Sequence, residues 1–220
     1  MLRQVLSGSL SFQELIIYIL STLIVVFVTL PVHEFAHGIA AVKLGDPTPR
    51  YGGRLSLNPF AHIDYLGALC ILLFGFGWAK PVSVNARNFK SPKLGMAITA
   101  FAGPLSNILM ALVGLILANL CRMFMLQFEF LIYLYYIFYL TAQINISLAV
   151  FNLLPIPPLD GSRLLSVFLP NKAYYNLMRL ERYIFFGIIA LLWIGVLDYP
   201  LMFLSNKLMA LLTFIAALPF

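Results

Sequence analysis

Five residues, His33-Glu34-Phe35-Ala36-His37, carry the most legible chemistry in this sequence. On a helix, positions i and i+4 share a face, so both imidazoles can aim at one zinc ion. Glu34 falls beside that face, where its carboxylate can take a proton from metal-bound water. The pattern uses two of only three histidines in the chain. The alternative is a helix end whose polar side chains simply reach lipid headgroups. Against it, ionisable groups in an apolar helix are costly and mark function.

A catalytic zinc takes three protein ligands and keeps one position open. One known solution adds a third histidine six residues after the second, with glycine halfway between. Ala40 and Lys43 stand at those positions, so that solution is excluded. Few acidic residues remain. Asp160 closes the run Asn152-Leu153-Leu154-Pro155-Ile156-Pro157-Pro158-Leu159-Asp160, just before Gly161. Its prolines break the helix, and irregular backbone at membrane depth needs partners or a polar cavity. A carboxylate there is well placed to meet the histidine pair. An N-cap on the helix that starts at Gly161-Ser162-Arg163 is the other reading.

These residues must be positioned by membrane helices. The composition is 62% hydrophobic and 10% charged, too apolar for a soluble domain. The run Leu15 to Val32 is long enough to span and leads into the histidine segment, so one helix continues to about Lys43. Residues 46–65 are rich in proline and glycine, with a strand-like piece at Arg54-Leu55-Ser56-Leu57. Leu66 to Trp78 is apolar but too short to span, which fits a re-entrant segment. Leu94–Leu120 and Phe130–Leu154 are full spans, and Tyr183–Leu197 and Leu201–Leu218 complete the set, the last with Lys207 in its interior. The expectation is an all-α membrane protein of about five to six apolar helical segments, with a small strand-like loop after the first helix. Residues 1–220 form one integral-membrane domain.

Charge gives the orientation. Lys43, Arg50 and Arg54, then Lys80, Arg87, Lys90 and Lys93, then Arg163, Lys172, Arg179 and Arg182 place 11 of 14 basic residues in three loops. The positive-inside rule makes all three cytoplasmic, provided the 66–78 segment does not cross. The N-terminus is then outside and the C-terminus inside. Basic residues scattered over short loops do not make a nucleic-acid face. Cys70 and Cys121 are too far apart for a CxxC pair and read as buried small residues. The first residues carry Arg3 and no signal-peptide pattern.

With these residues in place, the chain resembles the site-2 protease family of intramembrane zinc metalloproteases. HEFAHG matches the family's HExxH helix, and NLLPIPPLDG matches its second signature. GRLSLNP at 53–59, GWAKPV at 77–82 and FAGPLSN at 101–107 read like its compact members, which lack PDZ and CBS domains. The resemblance implies that His33, His37 and Asp160 bind Zn²⁺ and that Glu34 is the catalytic glutamate. It credits Asn152 with holding substrate backbone or the oxyanion. The substrate would be a transmembrane protein or peptide, cut near the cytoplasmic side of a prokaryotic cell membrane. A helical substrate would unwind first, and the 54–57 piece could pair with the unwound stretch.

Two rivals remain: a membrane zincin with a later glutamate ligand, and a non-proteolytic zinc-binding protein or transporter. Glu129 and Glu181 are the only glutamates downstream, and neither sits in a helical ligand motif. A transporter needs ligands along a path, whereas these cluster at one end. Of the remaining polar residues, His62 reads as an interfacial loop residue, Asp64 as a turn or helix cap, and Asn107 as a cross-helix hydrogen bonder.

Overall fold

The computed structural model describes residues 11–74 and 79–219. Residues 1–10, in which no signal-peptide pattern is expected, and 75–78, the end of the short apolar segment, lie outside them.

The first helix, α1 (Phe12–Lys43), begins at a capping box. The Ser11 hydroxyl accepts from Glu14 N–H, and the Glu14 carboxylate takes Ser11 N–H at 2.7 Å. One turn before His33 the helix widens into a π turn, Val25–Thr29, with Leu30 N–H bonded to Val25 O. Pro31 supplies the cause. It has no N–H for the Phe27 carbonyl, and its ring crowds that turn. The π turn re-aims everything after it, including the histidine pair.

Among the described residues four helices are long and apolar enough to cross a membrane: α1, α3 (Pro92–Phe124), α4 (Phe130–Asn152) and α8 (Asp198–Ala217). Between them lie α2 (Tyr65–Phe74), α5 (Asp160–Leu165), α6 (Asn171–Arg179) and α7 (Glu181–Ile194). The chain is thus an all-α membrane protein, with fewer full spans than the apolar runs suggested.

The short segment is re-entrant. Helix α2 has ten residues, about 15 Å of rise, half a hydrocarbon core. Lys80 N–H bonds His62 O at 2.7 Å, so the chain leaves and returns at one place. The helix starts with Asp64 accepting from Gly67 N–H, the cap role expected of it. It runs back along α1: Ile71 packs with Val25, Val26 and Leu30, and Tyr18 Oη donates to Ile71 O.

Side-chain pairings set the directions. Ser21 Oγ meets Ile137 O, and eight residues further along both helices Asn145 Nδ2 meets Thr29 Oγ1, so α1 and α4 run parallel. A tight turn at 125–129 makes α3 antiparallel to α4, with Gly114 against the Phe138 carbonyl and Ala142. The shared core of α3, α4 and α8 contains Ala111, Leu115, Ala142, Ile146 and Leu212.

Expectations are corrected here in two places. The 183–197 run is not a full span. Helix α7 has 14 residues, about 21 Å, and stops at Gly195, whose φ of +84° only glycine adopts freely. Helix α8 then runs parallel to α3: Asn119 Nδ2 donates to Ala216 O, while Leu201 still packs on the core of α3 and α4. Only a parallel course allows both, because α3 ends five residues past Asn119. The C-terminal end therefore lies beside the 125–129 turn, together with Phe12. The three basic loops gather at the opposite end: Asp46 bonds Asn85 and Asn88, and Lys93 Nζ reaches Leu169 O. Accessibility tags should accordingly place the C-terminus on the side of residues 125–129 and opposite loops 43–65, 79–93 and 155–182. A C-terminal tag on the basic-loop side would overturn the parallel packing of α8.

The second correction concerns 54–57, which is not a strand; no strand occurs among the described residues. A strand needs a partner ladder, and these residues spend their polar groups on their own loop. Arg54 N–H bonds Pro49 O, the Arg54 guanidinium holds Ala61 O, and His62 Nε2 meets Ser56 O at 2.7 Å. His62 is fully buried by this turn rather than interfacial.

A candidate metal and catalytic site

The site is built from α1, α3 and the turn that opens α5. His33 and His37 sit one helical turn apart on α1, and both are buried. Their Nε2 atoms stand 3.0 Å apart. Asp160 Oδ2 lies 3.4 Å from His33 Nε2 and 3.3 Å from His37 Nε2. Three donors bound tetrahedrally at zinc–nitrogen and zinc–oxygen lengths must be about 3.3 Å apart, so this triangle fits one zinc ion. Glu34 is buried beside them, and one donor atom from each of His33, Glu34 and His37 falls within 4.8 Å of the others.

Two of the side chains are held from behind, His37 and Glu34, whereas the buried Nδ1 of His33 has no hydrogen-bond partner. His37 Nδ1 is 2.7 Å from Thr99 O. Donation to that carbonyl puts the proton on Nδ1 and leaves the Nε2 lone pair for a metal. Pro104 loosens this stretch of α3, since it cannot donate to the Ala100 carbonyl. One oxygen of Glu34, Oε2, accepts Val82 N–H at 3.0 Å. Asp160 is the first residue of α5 and caps nothing; Leu159 occupies the cap position.

The donors open into a cavity of about 500 Å³. Asn152, the last residue of α4, lines it with Phe151. Val82 and Val84 form one wall. Phe185, Ile188 and Leu192 of α7 form another. The apolar run at 183–197 matched no motif, so its part in this wall was not legible. A larger groove of about 1030 Å³ lies elsewhere, between α1 and α4, and its tyrosine-rich lining has no histidine or cysteine.

Three residues missed as functional stand against the site. Gly103 is in direct contact with it: a Cβ there would fall 2.4 Å from His37 Nε2 and 2.6 Å from His33 Cε1. Gly161 is packed as closely, with the Leu153 and Leu154 carbonyls 2.3 and 2.4 Å from a Cβ. The third, Arg163, lines the cavity next to Asp160. Both glycines lie inside quoted motifs, which was the available signal. Asn107 departs from expectation: it is fully buried, yet neither amide atom has a hydrogen-bond partner, and Asn145 makes the cross-helix bond instead. His62, Glu129 and Glu181 take no part in the donor set.

Residues 130–195 match the model of peptidase family M50. The chain is 40% identical over 168 residues to a Bacillus subtilis protein named "Putative zinc metalloprotease YwhC", covering 76% of this chain and 75% of that one. It is 34% identical over 134 residues to "Putative zinc metalloprotease MJ0611" of Methanocaldococcus jannaschii, covering 60% of this chain and 62% of that one. No solved structure matches it significantly. With a buried two-histidine donor set on a membrane helix and this degree of identity, the chain belongs to peptidase family M50, the site-2 protease family, and is a zinc-dependent hydrolase of the membrane.

Proposed function

We propose that this protein is an intramembrane endopeptidase that hydrolyses peptide bonds in transmembrane segments of other membrane proteins. The observation that carries this reading is the 3.0–3.4 Å triangle of His33, His37 and Asp160 donors beside Glu34. It opens on a largely apolar cavity between membrane helices. His33, His37 and Asp160 would hold the zinc, which supplies Lewis acidity and lowers the pKa of its water to about 7.

The remaining steps fall to the protein's own groups. Glu34 Oε2 is tied to Val82 N–H, so Oε1 is the oxygen free to accept a proton from the attacking water and pass it to the leaving amine. Asn152 lines the cavity from the end of α4, where its amide can donate to substrate backbone or to the developing oxyanion. The apolar walls from α7 and Val82–Val84 suit an apolar segment that has unwound enough to expose its peptide bonds. The wall offered by 79–85 takes over the place that the 54–57 piece was expected to fill, since 54–57 does not reach the cavity.

The orientation follows from charge. Eleven of the 14 basic residues fall in the three segments at the site's end of the bundle, and by the positive-inside rule this supports a cytoplasmic position for that end. On α3, Gly103 is 11 residues from Pro92, about 16 Å from the helix start.

Glu34→Gln tests the reading. A protease that uses Glu34 as its base should keep about one zinc per chain and lose roughly 10²–10⁴-fold in turnover of a transmembrane test substrate. A zinc carrier or scaffold should change little, because Glu34 is not needed as a ligand. Asn152→Asp should lose roughly 10²–10³-fold with zinc intact, since it replaces a donor with a charge. Turnover within a few-fold of wild type would leave Asn152 a helix-end residue.

A further inference from the structure

Asp46 is buried to 0% exposure, yet it lies outside the donor set and follows the end of α1. Its Oδ1 accepts Thr48 N–H at 3.1 Å, Thr48 Oγ1–H at 2.5 Å and Asn88 Nδ2–H at 2.6 Å. Its Oδ2 accepts Asn85 N–H at 2.7 Å. The bonds to Thr48 are what a local turn after Gly45 requires. Those to Asn85 and Asn88 are not local; they reach across to a separate loop. Burial pushes the Asp46 carboxyl up, but the hydrogen bonds from Thr48, Asn85 and Asn88 hold it below the usual carboxylate range, so it accepts as an anion.

That loop is the wall of the cavity. Residues 79–85 have no helix or strand of their own, so separate ties set their path. Lys80 N–H is held by His62 O, Val82 N–H by Glu34 Oε2, and Asn85 N–H by Asp46 Oδ2. Val82 and Asn85 are three residues apart, about 10 Å of extended chain, too short to absorb a shift at one end. Val82 itself is buried, and the following single turn, Ala86–Asn88, is pinned by Asn88 on the same carboxylate.

We infer that Asp46 is a positioning residue for the catalytic glutamate: by holding Asn85 and Asn88 it fixes the Val82 amide, and the Val82 amide fixes Glu34 against the two histidines. The inference rests on the reading of Glu34 as the general base. Asp46 touches neither metal nor substrate, so its loss leaves the zinc triangle in place and lets the Glu34 carboxylate swing. Outer partners that orient reacting groups are typically worth about 10–100-fold in activity or metal affinity.

The test uses the full chain in lipid nanodiscs, with wild type, Glu34→Gln, Asp46→Asn, Asn88→Ala and the swap Asp46→Asn with Asn88→Asp. Asp46→Asn puts an amide donor where donors already point. It should keep about one zinc per chain and a KM within a few-fold, lower kcat about 10–100-fold, and speed amide hydrogen exchange across 79–89 but not along α3. Asn88→Ala removes one exposed tie and should give a smaller kcat loss without a folding defect. The swap restores a carboxylate–amide pair between positions 46 and 88 and should regain part of the rate. Unchanged kcat and unchanged exchange in Asp46→Asn would overturn the inference. So would a loss of zinc and folded yield in proportion to activity, with Asn88→Ala like wild type, since Asp46 would then be a structural residue alone. If Glu34→Gln stays active, the parent reading fails, and the exchange of 79–89 still reports whether Asp46 holds the loop.

Discussion

His33→Ala, His37→Ala and Asp160→Ala should each strip the protein of zinc and reduce proteolysis to background. The three donor atoms stand 3.0, 3.3 and 3.4 Å from one another, so each contributes one corner of a single coordination site. Removing one leaves two protein ligands, below the three that a catalytic zinc uses. Changes to outer partners already cost about 10–100-fold, so loss of a direct ligand should exceed about 100-fold in affinity. Asp160 is the most informative of the three, because its side chain could otherwise have been a helix cap. Leu159 holds the cap position, so Asp160→Ala should spare the start of α5 while emptying the metal site. Glu129→Ala and Glu181→Ala serve as controls and should keep full zinc. Metal analysis of the purified variants decides the matter. Full zinc and activity in Asp160→Ala would show the ligand set to be wrong.

Gly103→Ala should be nearly as damaging, although it adds a single methyl group. The new Cβ would lie 2.4 Å from His37 Cε1 and Nε2 and 2.6 Å from His33 Cε1. Carbon atoms in contact prefer about 3.5–4.0 Å, so the overlap exceeds about 1 Å. Neither ring can yield freely: His37 is tethered to Thr99 O, and both rings are buried. The imidazoles must therefore leave the donor triangle, or α3 must retreat from α1. A displacement of about 1 Å at reacting groups costs on the order of 10²-fold in rate, and here the metal ligands themselves move. Zinc affinity and turnover should fall together. Gly187→Ala is the matched control. It lies within α7, a Cβ there meets nothing within 4 Å, and alanine in a helix is favoured by up to about 1 kcal/mol over glycine. Gly103→Ala with normal zinc and turnover would mean that α3 does not pack on the histidines as described.

Much of this protein is determined locally and so can be read from its residues in order. The membrane class follows from hydrophobicity alone, and His33 and His37 share a face because the helix repeat puts them there. The re-entrant nature of the segment after residue 64 follows from length and from basic loops that must share a side. The break before Asp160 follows from its prolines, and the cap at Asp64 from local turn chemistry.

The remainder depended on contacts between residues distant in sequence. The π turn at Val25–Thr29 could have been suspected from Pro31, but its effect on the aim of His33 appears only once the helices pack. Gly103 and Gly161 lie in recognisable motifs, yet what each avoids, an imidazole in one case and two carbonyls in the other, belongs to another part of the chain. The run at 183–197 has the composition of a span, and hydropathy does not distinguish a crossing helix from one that stops at a glycine and walls a cavity. The side on which the C-terminus lies was misread for that reason, and it was settled by Asn119 against Ala216 together with Leu201 on the α3–α4 core. Asp46 gave no sign of its role, because two of its partners come 39 and 42 residues later. Periodicity and composition record what each residue does for its own element, whereas a donor triangle, a close helix approach and a shared carboxylate are set by where the elements meet.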